Sequence, residues 1–269
     1  MKYPYGKEIL IVGASSGIGK EAVTLFAEAG FTVWAVSRSM APQTTGTVHT
    51  CPMDVTDDGS VSAAMAWIRE NGGDPGILLY CVGIGIAGSV EDTPIEAVRR
   101  QMEPNYYGFL RLLPHVMPSM REKKNGLVLA VSSVAGLVSL PFQSQYSAGK
   151  YALEATVRAL RNEVKPYGIR AALIEPGDTK TGFTAYRKME IPEGSVYREA
   201  CEKAVAQMAK DEQNGKSPVT AARVALKLAG MKNPPQHNVV GTDYRLLALG
   251  IKLLPAALVE KVMGMLYCK

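Results

Sequence analysis

Short apolar, strand-like runs recur along the chain, at Glu8–Val12, Thr32–Val36, Val48–Met53, Ile77–Tyr80, Leu127–Ser132, Arg170–Glu175 and Asn238–Gly241. Runs of this length that lack polar alternation belong to parallel strands buried on both faces. Between them the apolar positions fall at helical spacing, as in Lys20 to Ala29, which Gly30 closes. Thr93-Pro94-Ile95-Glu96 is the clearest helix start, with Thr as N-cap, Pro at the first helical position and Glu at the capping-box position. Strand and helix alternate from one end to the other. The pattern predicts an α/β fold: a doubly wound, parallel sheet with helices on both faces and right-handed crossovers, which takes its ligands beyond the carboxyl ends of the strands.

The chain has 269 residues, 47% of them hydrophobic, and no Pro/Ser-rich or single-charge stretch divides it, so one domain over 1–269 is expected. Net charge is +5 and spread out, and basic segments such as Arg121-Glu122-Lys123-Lys124 are interrupted by acids. That argues against a nucleic-acid partner. Cys51, Cys81, Cys201 and Cys268 are far apart and suit neither a disulfide framework nor a metal site. Reduced thiols, and a first strand that begins too early to leave room for a signal peptide, point to the cytoplasm. The tail, 244–269, is rich in Leu and carries Arg245, Lys252, Lys261 and Lys269, and Pro255 breaks it into two amphipathic pieces too short to span a bilayer. Packing over the pocket or a subunit interface is favoured there over rest on a membrane surface.

Chemistry enters with Tyr146-Ser147-Ala148-Gly149-Lys150. Residues four apart share one helix face, so a buried Lys ammonium below a phenol can bring its pKa, about 10 when unperturbed, toward neutrality. Ser133 lies thirteen residues upstream, at the end of an apolar strand. Near the N-terminus Gly13-Ala14-Ser15-Ser16-Gly17-Ile18-Gly19 joins a strand to a helix. Glycines in such a turn let backbone approach a pyrophosphate seated on the helix N-terminus.

Together these motifs resemble the short-chain dehydrogenase/reductase family, in its compact branch with TGxxxGxG and YxxxK, over Lys7 to Gly241. They arrive in the family's order: Gly13/Gly17/Gly19, Asp54-Val55, Asn105, Ser133, Tyr146, Lys150 and Pro176-Gly177. The GxxGxxG spacing of the extended branch is absent. The resemblance implies a Rossmann-like domain and an oxidoreductase that interconverts a carbonyl and an alcohol. Tyr146 is then the acid/base, Lys150 lowers its pKa and binds the nicotinamide ribose, Ser133 holds the substrate oxygen, and Asn105 serves a proton relay in an interrupted helix. Pro104, just before it, supplies a local cause for the interruption. Gly13, Ser15, Ser16, Gly17, Ile18, Gly19, Asp54, Val55, Gly83, Pro176, Gly177, Thr179 and Thr181 are the implied cofactor contacts, with Tyr146 and Lys150. Ser37 stands where NAD-preferring relatives carry Asp, and Arg38 follows it, which favours NADP(H) because a guanidinium pairs with the 2′-phosphate. Members commonly form homodimers or homotetramers through the helices of Asn105 and Tyr146.

Two departures stand out. Tyr80-Cys81-Val82-Gly83 replaces the family's Asn-Asn-Ala-Gly, and Val12 replaces the Thr before Gly13, which bears on stability and cofactor affinity more than on the chemistry. Segment 179–214, with Phe183, Tyr186, Met189, Ile191, Tyr197 and Met208, is expected to be a lid over an apolar pocket. A small-molecule ketone or secondary alcohol, apolar and steroid-like, is the leading substrate expectation; an acyl-chain ketoreductase and a catalytically idle NADPH-binding regulator are the alternatives.

Overall fold

The computed structural model describes residues 2–268; Met1 and Lys269, the ends of the expected domain and tail, lie outside the described residues. Its strands are β1 (Glu8–Val12), β2 (Thr32–Ser37), β3 (Gln43–Thr45), β4 (Val48–Pro52), β5 (Ile77–Tyr80), β6 (Ile86–Ala87), β7 (Gly126–Val131), β8 (Ile169–Pro176), β9 (Lys188–Met189) and β10 (His237–Val240). Eight of them form one sheet in the order β10-β8-β7-β5-β1-β2-β4-β3, parallel except where β3 turns back on β4. The seven expected strands are all present. β3, with three exposed residues, and the two-residue pair β6 and β9 carry no apolar run and were not expected.

Ten α-helices complete the described chain: α1 (Gly17–Glu28), α2 (Asp58–Glu70), α3 (Ile95–Met102), α4 (Gly108–Glu122), α5 (Ser144–Val164), α6 (Phe183–Tyr186), α7 (Arg198–Gln213), α8 (Pro218–Ala229), α9 (Thr242–Leu253) and α10 (Ala256–Tyr267). In β1 the alternate residues serve two cores. Leu10 and Val12 face a cluster built with α2, α4 and α5, while Ile9 and Ile11 face one built with α1 and α8. Each such fully buried aliphatic side chain contributes about 1.5–3 kcal/mol, so covering both faces fixes the sheet. Strand order runs outward from β1 in both directions, which opens a crevice over the carboxyl ends of β1 and β5.

One expectation is corrected. α3 starts at Ile95 with Pro94 flanking it, and Thr93 does not cap it: the Thr93 hydroxyl donates to Ser89 O at 2.6 Å. The turn at Ser89, where Ser89 Oγ also accepts from Asp92 N, competes for that hydroxyl and wins.

Candidate active site

The glycine turn leaves β1 at Gly13, whose φ of +87° lies in the left-handed region, and its amide and that of Ala14 both donate to Val36 O on β2. A Cβ on Gly19 would lie 2.1 Å from Gly13 O, so only glycine lets α1 start this close to the strand. Ser15 and Ser16 are exposed in the turn and Ile18 is half-buried. Ser16 is the N-cap of α1 without a side-chain capping bond, and no acidic residue occupies the first turn, so the helix N-terminus keeps its attraction for an anion. The turn therefore fits a dinucleotide pyrophosphate, as a cradle that side chains would fill. Arg38 is exposed just past β2, and Ser37 is buried with its hydroxyl 3.5 Å from Ser39 Oγ. Asp54 closes a turn, accepting from Thr56 N at 2.9 Å and Thr56 Oγ1 at 2.8 Å; the N-cap of α2 is Asp57. Val55 is buried beside it.

The chemical residues meet at the crevice. Ser133 follows β7, accepts from Ala135 N at 3.1 Å and donates weakly to Pro176 O at 3.4 Å. Ser132, its neighbour, points the other way into the core beside Glu154. Lys150 is buried, donates to Val131 O at 2.9 Å and sits 5.7 Å from the Tyr146 ring centroid. A Cβ on Gly83 would lie 3.5 Å from Lys150 Nζ and 3.6 Å from Asn105 Oδ1, so the polar ends of both side chains meet beside Gly83. Pro176 and Gly177 carry the chain past β8. Thr179 Oγ1 then donates to Gly177 O, and Thr181 folds over Gly17, 3.4 Å from where a Cβ there would be.

Asn105 is held in a π-helical turn, Glu103–Tyr107, between α3 and α4. Its amide is fixed on both sides of Ile84, accepting from Ile84 N at 2.8 Å and donating to Ile84 O at 3.0 Å. Tyr80, one of the residues that depart from the family pattern, is fully buried and donates its hydroxyl to Pro104 O. The departure thus supplies its own support for the turn.

Burial pushes the Tyr146 phenol up to about 12, with the Ser133 hydrogen bond and Arg187 acting against it and Glu212 with it. Burial lowers Lys150 to about 8, opposed by Cys81 and Glu154. Among the protein's own groups, burial outweighs the opposing contributions at Tyr146.

Sequence reasoning placed Phe183 in a lid but missed the Arg187–Glu212 pair behind it. Phe183 packs on the Tyr146 ring at 5.3 Å, and Arg187 lies over Phe183 at 5.5 Å while pairing with Glu212 of α7. With its amide oriented to suit, Gln143 accepts from Arg187 Nε at 2.8 Å. β9 pairs with β6, so this segment is fastened to the loop after β5. Behind Lys150, Glu154, Glu175 and His237 bring three ligand-type atoms within 4.8 Å of one another. His237 Nδ1 is 2.6 Å from Glu175 Oε1, and burial raises both carboxyls to about 7, which favours shared protons over a cation there. Glu154 lies four residues past Lys150 on the same helix, a signal that could have been read.

A family model described as short chain dehydrogenase matches residues 7–191. The chain is 35% identical over 235 residues to 3-ketodihydrosphingosine reductase of Bacteroides thetaiotaomicron, covering 87% of each. Its fold matches a short-chain dehydrogenase/reductase of Burkholderia phymatum in complex with NAD, at TM-score 0.78 and 20% identity over 94% of this chain and 96% of that one. It also matches a short-chain dehydrogenase of Burkholderia cenocepacia J2315 in complex with NADP, at TM-score 0.76 and 21% identity over 97% and 98%. The glycine cradle, the parallel sheet and these matches agree: the chain is an oxidoreductase-type member of the short-chain dehydrogenase/reductase family.

Proposed function

We propose that this protein is an NADP(H)-dependent oxidoreductase that interconverts a ketone and a secondary alcohol on a long acyl chain. The reading rests on Lys150 lying 5.7 Å from the Tyr146 ring centroid, with Lys150 and Asn105 meeting beside Gly83 and Ser133 just past β7. When bound, the reduced dinucleotide supplies a hydride to the carbonyl carbon. Tyr146 gives its phenolic proton to the carbonyl oxygen, and Ser133 donates a hydrogen bond to that oxygen as negative charge develops. Lys150, still protonated at neutrality with its pKa lowered only to about 8, supplies positive charge beside the phenol and reaches the nicotinamide ribose. Asn105, clamped on Ile84, holds the backbone of the interrupted helix where a proton relay to Lys150 is expected.

Arg38 supports NADP(H), since it offers a guanidinium to a 2′-phosphate and Ser37 offers no carboxylate to a 2′-hydroxyl. The relative's named substrate favours an acyl-chain ketone over a steroid. Association as a dimer or tetramer would use the outward face of α5, where Tyr151, Ala155 and Ala159 are exposed, whereas Leu153 and Leu160 of the same helix are buried in the core.

NADPH oxidation measured over long-chain, short-chain and steroid ketones tests the reading. The long-chain ketones should turn over fastest, and Tyr146→Phe should lower kcat by at least ~10²-fold while NADPH still binds. Tight NADPH binding with no oxidation across the panel would establish the idle-regulator alternative, and faster turnover with NADH would overturn the cofactor assignment.

A further inference from the structure

α9 and α10 add little to the core: Ala248 is the only buried residue of α9, and α10 has none. Their apolar side chains turn outward instead. Leu246 and Leu253 are 71% and 74% exposed, and Leu249, Met265 and Leu266 are exposed by half or more. So dense an apolar surface marks an interaction face. Within the chain, Tyr244 donates to Asp178, α9 packs on β10 and α10 packs on α7.

The surroundings of this face are cationic. Between α8, β10 and α9 lies a cavity of about 450 Å³ whose apolar lining includes Leu228, Met231 and Leu249 and whose charged lining residues are Lys227, Arg245 and Lys252. Lys227 and Lys252 are exposed, as is Lys261 on α10. Asp243 and Glu260 are the acids of the two helices. A twelve-residue helix is about 18 Å long against about 30 Å of hydrocarbon, and no helix among the described residues is long and apolar enough to cross a membrane. Two short helices joined at Pro255, Leu-rich outward and edged with Lys and Arg, suit the plane of a bilayer surface.

We infer that the α9–α10 face docks on an anionic lipid bilayer, with its leucines in the headgroup–acyl boundary and Lys227, Arg245, Lys252 and Lys261 against the lipid charges. A second copy of the chain is the weaker occupant. A two-fold contact is isologous, so it would bring the cationic rim of one copy close to the same rim of the other, whereas anionic lipid neutralises it. The face adjoins the segment after β8: Tyr244 holds Asp178, and α10 packs on α7. Docking would thus set the chemical crevice beside the membrane, and this last step alone rests on the acyl-chain reading of the function.

Co-sedimentation with vesicles, without substrate, tests the docking by itself. The intact protein should partition onto phosphatidylcholine vesicles that contain phosphatidylglycerol and far less onto phosphatidylcholine alone. Leu246→Ser with Leu253→Ser should weaken partitioning at least about ten-fold, and Lys227→Glu with Lys252→Glu by about five-fold per charge. NADPH binding and thermal unfolding of each variant, compared with the parent, show whether it folds. The charge variant carries the test should the leucine variant not fold. Failure of the intact protein to bind either vesicle overturns the inference, as does binding unaffected by both variants. A dimer that the leucine variant dissociates, with no vesicle binding, would overturn it in favour of the second copy.

Discussion

Lys150 carries a charge in a place that disfavours one. Burial lowers its pKa to about 8, and Val131 O is the hydrogen-bond partner that holds it. The consequence is a pH dependence of set sign: the cation is present below about 8 and is lost as pH rises through it, so carbonyl reduction should fall along an alkaline limb near that value. Lys150→Arg keeps its charge throughout this range, since a guanidinium does not deprotonate there. That variant should react more slowly, for loss of geometry, yet lose the limb. If kcat/KM against pH showed the same limb in both proteins, Lys150 would not be its source. The placement of Tyr146, Lys150 and Ser133 was legible in the sequence because it depends on one helix face and one strand end. Arg187 and Glu212 were not, because their pairing arises only when α6 and α7 pack together beside the Tyr146 ring.

At the scale of elements, the seven buried strands could be read from their apolar runs, since burial on both faces leaves little freedom in composition. β6 and β9 could not, because a two-residue ladder is specified by backbone partners alone. The π-turn at Glu103–Tyr107 sits between these cases. Pro104 gave a local reason for an interruption, but nothing in the sequence indicated that Tyr80, from the strand opposite, would hold the turn by its hydroxyl. Tyr80→Phe removes that buried donor from Pro104 O, which should cost about 1–3 kcal/mol of stability. The loss should appear in urea unfolding and bring a fall in kcat, because Asn105 adjoins the same carbonyl. Unchanged stability would show that the turn is set by Pro104 without help.

The whole molecule is joined across its layers by Glu154 of α5, Glu175 of β8 and His237 of β10. Both carboxyls are pushed up to about 7, first by burial, and Glu154 further by the charge of Glu175; Ser132, His237 and Arg158 oppose the shift at Glu154, as Asn238, Lys252 and Arg158 do at Glu175. An acid whose pKa is raised on folding stays protonated in the native state while the unfolded chain has already released its proton. Its contribution to stability is therefore greatest below the unfolded pKa of about 4.5 and declines as pH rises toward 7, by up to about 1.4 kcal/mol per pH unit for each proton retained. Carboxylates elsewhere, such as Asp92 and Asp243, are shifted downward and act in the opposite sense, so the measurement must be a difference. Glu175→Gln removes one titrating group and relieves its partner of a like charge. Relative to the parent, the variant should gain stability from pH 5 to about pH 7 and level off above it in denaturant unfolding. A difference that stayed flat across that range would mean that the two carboxyls titrate alike in the folded and unfolded chains.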